Sequence, residues 1–113
     1  MTATPGSADV VDVTEDTFDD VVLGSDLPVL VEFWATWCPP CRLLAPILAQ
    51  VGKEQAGRLR VVKIDGDAEP GLVERFGVLG FPTMLLFRGG EAVRSIVGAV
   101  PKARILAEVD AVA

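Results

Sequence analysis

The sequence predicts an α/β domain in which a central mixed five-stranded sheet is flanked by four helices. Three observations lead to it. Strand-like and helix-like patches alternate along most of the chain, and that alternation requires parallel neighbours joined by right-handed crossovers. Near the C-terminus Gly89-Gly90 separates two strand-like runs, which makes a tight hairpin and therefore one antiparallel pair. With 113 residues, half of them apolar, the chain can bury one core without metal or disulfide staples, and no repeat, linker or low-complexity segment divides it.

Residues 1–9 read as a loose tail ahead of a domain covering 10–113. Val10 to Val13 is a short β-branched strand. Thr14 then caps a helix whose acidic opening, Glu15 and Asp16, suits the dipole and whose apolar stripe is Phe18, Val21 and Val22; it ends near Gly24. Pro28 to Ala35 is apolar on both alternating faces apart from Glu32, as expected of a central strand covered by helices on both sides. It leads directly into Cys38. From Pro39 to about Ala56, Leu43, Leu44, Ile47, Leu48 and Val51 recur at helical spacing, with Gly57 as the stop. Pro46 is placed to kink this helix, because it offers no donor and its ring opposes the Arg42 carbonyl. Leu59 to Asp65 is a third strand, Pro70 to Phe76 a short helix ending at Gly77, and Thr83 to Phe87 a strand buried on both faces. The Gly-Gly turn feeds a strand over Ala92 to Val97, and Pro101 suits the first position of a closing helix.

Composition narrows the function. A formal net charge of -6 and a pI near 4.5 argue against a nucleic-acid or anionic-membrane surface, which needs clustered Lys and Arg. The chain has no histidine, so Ser-His-Asp and Cys-His catalysis and His-ligated metal sites are unavailable. Met1 to Val10 lacks the basic start and apolar stretch of a secretory signal, and Gly77 to Phe87 is too short and too broken to span a bilayer. A soluble, cytoplasmic monomer is expected.

The chemistry lies in Cys38-Pro39-Pro40-Cys41. Two cysteines supply half of a tetrahedral zinc site with nothing to complete it, so no metal is expected. Two thiols that merely pack are the plain alternative, since cysteine is often a core residue. The prolines argue against it. At the start of a helix they sacrifice only donors that would be orphaned anyway, so they fix the sulfurs at the helix N-terminus. Cys38 then faces the positive end of the dipole, loses its proton more easily than a free thiol and becomes the nucleophile. Cys41, one turn on and within disulfide reach, can resolve a mixed disulfide.

The run Phe33-Trp34-Ala35-Thr36-Trp37-Cys38-Pro39-Pro40-Cys41 resembles the active-site motif of the thioredoxin family. The likeness continues through Ala45-Pro46, Lys63, Asp67, Gly80-Phe81-Pro82-Thr83, Gly89-Gly90-Glu91 and Val97-Gly98. It implies the thioredoxin fold and dithiol–disulfide exchange with protein substrates. It also implies no bound cofactor, and recharging by an NADPH-dependent flavoprotein thioredoxin reductase. Two departures stand out: the usual Gly after the first Cys is Pro39, as in the longer tryparedoxins and nucleoredoxins, and the usual buried Asp is Glu32.

A lone Glu in a strand is most often solvated at an edge. The resemblance instead implies a carboxylate behind the disulfide that takes the proton from Cys41, with Lys63 on the neighbouring strand as its partner; a snorkelling surface lysine is the alternative for Lys63. An X-Pro bond is trans by default, and only the resemblance argues for a cis Phe81–Pro82 bond lying against the disulfide, where the backbone before it pairs with substrate. Trp37, Pro39, Pro40, Phe81, Val97 and Gly98 would form an apolar collar around Cys38, although Trp37 could also be ordinary core. Three activities share such a fold: a reductant of protein disulfides, a thiol oxidant or isomerase, and a docking module without turnover. The missing signal counts against the second, the complete Cys pair against the third.

Overall fold

The structure is a computed structural model and describes residues 9–112. Of the expected tail, residues 1–8 lie outside the described residues, as does Ala113 of the domain. The elements follow the order β1 (Val11–Asp12), α1 (Asp19–Leu23), β2 (Val29–Trp34), α2 (Pro39–Glu54), β3 (Arg60–Asp65), α3 (Pro70–Arg75), β4 (Thr83–Arg88), β5 (Glu91–Val97) and α4 (Lys102–Val112). The strands form one mixed sheet in the order β1-β3-β2-β4-β5.

β2 lies at the centre because it can be dry on both faces: five of its six residues are buried, Glu32 among them. It runs parallel to β3 and antiparallel to β4. The sheet thus has two antiparallel pairs, β2 with β4 and β4 with β5, where the sequence announced only the hairpin. The difference is physical. A hairpin is written in two adjacent residues, and Gly89 and Gly90 do carry the positive φ of such a turn, at 59° and 83°. The direction of β4 against β2 is set by the α3 crossover and leaves no local mark.

Alternation along the strands splits the core into two layers. Val29, Val31 and Phe33 of β2 point to one face, with Phe18, Val22, Val62, Ile64 and Phe87. Leu30 points to the other, with Leu44, Leu48 and Val51 of α2, Met84 of β4, and Ile105 and Val109 of α4. Helix α2 continues through Pro46, whose missing donor leaves the assignment unbroken over 16 residues.

The helix expected from Thr14 is narrower than the sequence suggests. Phe18 N–H bonds the Thr14 carbonyl at 2.9 Å, but regular structure covers only Asp19–Leu23, which closes with a wide bond from Gly24 N–H to the Asp19 carbonyl at 2.9 Å. The reason is that Glu15 is committed elsewhere. Its N–H donates to Glu69 Oε1 and its carboxylate accepts from Gly71 N–H, each at 2.8 Å, so it caps a helix 56 residues away. Glu15→Ala is expected to lower stability by about 1 kcal/mol in chemical denaturation, because the α3 terminus loses its acceptor; Asp16→Ala, which removes a neighbouring charge, should change it by much less.

Candidate active site

Cys38 is placed by the end of β2. After Trp34 the chain turns at Ala35, whose carbonyl accepts the Cys38 N–H at 3.2 Å, and Cys38 adopts an extended conformation as the cap of α2. Pro39 and Pro40 fill the first two helical positions and have no N–H. The first helical amide is therefore that of Cys41, and it points at the Cys38 sulfur at 3.2 Å. A thiolate on Cys38 would sit at the positive end of a 16-residue helix with one amide already aimed at it. The Pro at position 39 costs nothing here, since cap side chains are reached from the second and third helical positions.

Cys38 and Cys41 are joined as a disulfide with Cα atoms 5.3 Å apart. Both are buried, at 2% and 4% exposure, yet their surroundings differ. Cys38 is bracketed by exposed Trp37, Pro39 and Pro40. Cys41 lines a cleft of about 260 Å³ together with Glu32, Trp34, Arg42 and Lys63. Exposed residues flank the buried Cys38, whereas Cys41 shares a cleft with the carboxyl group.

Glu32 is 3% exposed, so the solvated-edge alternative does not apply. Its Oε2 has no hydrogen-bond partner among the described residues. Loss of water disfavours the charged form and pushes its pKa up from 4.5 to about 7, against a smaller downward pull from the Lys63 ammonium. Lys63 stands beside Glu32 in register across β3 and β2. Its ammonium nevertheless pairs with Asp12 at 3.8 Å and lies 5.3 Å from the centre of the Trp34 ring; among the described residues no ion pair joins it to Glu32.

The collar residues come together through contacts the sequence does not spell out. Trp37 is 62% exposed and donates from Nε1 to Asp67 at 2.7 Å, while its ring meets Phe81 edge-on at 5.8 Å. Phe81 packs against the buried cluster of Ala35, Cys38 and Cys41. The Phe81–Pro82 bond is cis, the Pro82 carbonyl accepts Gly98 N–H at 2.9 Å, and exposed Val97 lies opposite Thr83. Three further residues shape the site. Arg42 donates to the Thr36 carbonyl at 2.9 Å and braces the loop before Cys38. Asp67 figures only in the likeness to the family. Gly66 lies directly under Phe81: a Cβ there would come within 2.2 Å of the ring. No local signal marks Gly66, because the ring that needs the space arrives from 15 residues later.

Gly66→Ala should therefore displace Phe81, lower stability by about 1–3 kcal/mol and slow disulfide reduction. Adding Phe81→Ala should recover most of the stability but not the rate, read as a double-mutant cycle in denaturant with insulin reduction alongside.

A family model described as Thioredoxin matches residues 9–111. Thioredoxin 1 of Nostoc is 46% identical over 90 residues, which cover 80% of this chain and 84% of that one. A chloroplastic M-type thioredoxin of Pisum sativum is 43% identical over 98 residues, 87% of this chain and 57% of that one. A bifunctional thioredoxin reductase/thioredoxin of Mycobacterium leprae is 45% identical over 106 residues, 94% of this chain but 23% of that protein. With its five-stranded mixed sheet and a Cys-x-x-Cys disulfide at a helix N-terminus, the chain belongs to the thioredoxin family and is a dithiol–disulfide oxidoreductase.

Proposed function

We propose that this protein reduces disulfides of protein substrates with Cys38 as nucleophile, Cys41 as resolving thiol and Glu32 as the proton acceptor. The observation that carries the reading is the asymmetry of the pair: Cys38 borders the exposed apolar collar, and Cys41 lines the cleft that holds Glu32. In the first step the Cys38 thiolate attacks one sulfur of the substrate disulfide. A mixed disulfide forms and one substrate thiolate leaves. In the second, Cys41 gives its proton to Glu32 and attacks the Cys38 sulfur; the Cys38–Cys41 disulfide forms and the second substrate thiolate leaves. Trp37, Pro39, Pro40, Phe81, Val97 and Gly98 form the apolar seat for the substrate, and the edge at Phe81 and Pro82 offers backbone for its extended chain.

No bound cofactor is needed for exchange between thiols and disulfides. The reduced state returns through thioredoxin reductase with electrons from NADPH, a pairing supported by the relative whose name joins both activities in one chain. The setting is a reducing compartment, the cytoplasm. No helix among the described residues is long and apolar enough to cross a membrane.

Cys38→Ser should abolish insulin reduction. Cys41→Ser should still attack and stall as a mixed disulfide, detectable as captured substrate by mass spectrometry. Capture by Cys38→Ser and none by Cys41→Ser would reverse the roles.

Glu32→Leu should stabilise the fold and slow turnover. The sign follows from the raised pKa. Below pH 4.5 the carboxyl is protonated folded and unfolded, and the substitution gains little from charge. As pH rises toward about 7 the folded state binds the extra proton, so wild-type stability falls by about 3 kcal/mol and then levels off. The advantage of Glu32→Leu should open across that window in a denaturation series. A gap independent of pH would remove Glu32 from the mechanism.

A further inference from the structure

One row of side chains crosses the whole sheet on the α2 face. Asp12 on β1 is paired in register with Lys63 on β3, Lys63 with Glu32 on β2, Glu32 with Met84 on β4, and Met84 with Ile96 on β5. Exposure falls along it. Asp12 is open to solvent and Lys63 half-buried, while Glu32, Met84 and Ile96 are buried. A single cation therefore stands between two carboxyl groups, one wet and one dry, and its ammonium lies toward the wet one.

We propose that Asp12 is a positioning residue for Glu32: it holds the Lys63 ammonium at the outer end of this row and keeps the cation from closing onto the buried carboxyl. The proposal rests on the reading of Glu32 as proton acceptor and deepens it. A carboxylate locked to an ammonium in a dry site is a weak base, because releasing the ion pair costs as much as protonation gains. A carboxyl whose cation is paired elsewhere can take a proton and release it in each cycle. The Trp34 ring supports the same outward placement of the Lys63 side chain.

Three of the segments packed against Glu32 bring charged groups to it. β3 supplies Lys63, α2 supplies Arg42 across the 260 Å³ cleft, and the segment before β1 supplies Asp9, which lines a second cleft of about 220 Å³ with Glu32 and Lys63. β4 faces it with uncharged Met84. Asp12 differs from the others in acting through Lys63, and that indirectness is what the experiment reads.

The test is an NMR titration of the Glu32 carboxyl in the full oxidised chain with carbon-labelled glutamate at low ionic strength, where exposed charges are least screened. Asp12→Asn should move the titration of Glu32 down by roughly half a pH unit, the scale expected of one exposed charge. Asp12→Glu should restore it. In Lys63→Met, adding Asp12→Asn should change little, since the cation to be positioned is gone. An unmoved or upward titration in Asp12→Asn, or the same downward shift with and without Lys63, would overturn the proposal, the last by showing that Asp12 acts directly through space. Turnover is not needed for any of these readings. A failure of Glu32 as proton acceptor would appear separately, as a pH profile of insulin reduction that stays in place when the titration of Glu32 moves.

Discussion

The structure depends on burying β2 on both faces between β3 and β4. That one constraint fixes three things together. The dry strand anchors the two core layers, with Val29, Val31 and Phe33 in one and Leu30 in the other. Its carboxyl end delivers the chain through Ala35 to the N-terminus of α2, where Cys38 meets the helix dipole and the Cys41 amide. Its central position also carries Glu32 out of water, on the face where Cys41 lies. The proposed nucleophile and the proposed proton acceptor are thus placed by one strand, one just past its end and one in its middle.

The cost of this arrangement falls on Glu32. A carboxyl in an apolar layer works against folding whenever it is ionised, and an apolar residue of similar size would pack there without penalty. In the proposed role the penalty has a chemical return, since a group that titrates near neutral pH can exchange protons in both directions during a cycle. The flanking features keep the return specific. Lys63 stands close enough to lower the penalty but is paired outward with Asp12, and the carboxyl shares its cleft with Cys41.

Much of this was legible in the sequence, and what was hidden has a common cause. Val29–Trp34, Pro39–Glu54 and the Gly89-Gly90 hairpin were written in periodicity and in residues whose backbone preferences are strong. The cysteine pair was readable because its spacing and prolines carry their own geometry. Glu32 was visible only as an oddity in an apolar strand. Its burial had to come from resemblance, because the covering helix α2 follows the strand in the chain and cannot be inferred to lie over it from local pattern. The second antiparallel pair, the Glu15 cap on α3, the clearance of Gly66 beneath Phe81 and the pairing of Lys63 with Asp12 all join residues far apart in sequence. Propensity and spacing say nothing of such contacts; they exist only once the sheet order does.

The fold gives the two thiols unequal surroundings, and that inequality is read in their reactivity. The reduced chain would be treated with limiting iodoacetamide across a pH series, and the modified peptides mapped by mass spectrometry. Cys38 is expected to be alkylated first, with an apparent pKa below the ordinary thiol value of about 8.5, and Cys41 only after denaturation. Equal modification of both, or Cys41 ahead of Cys38, would contradict it.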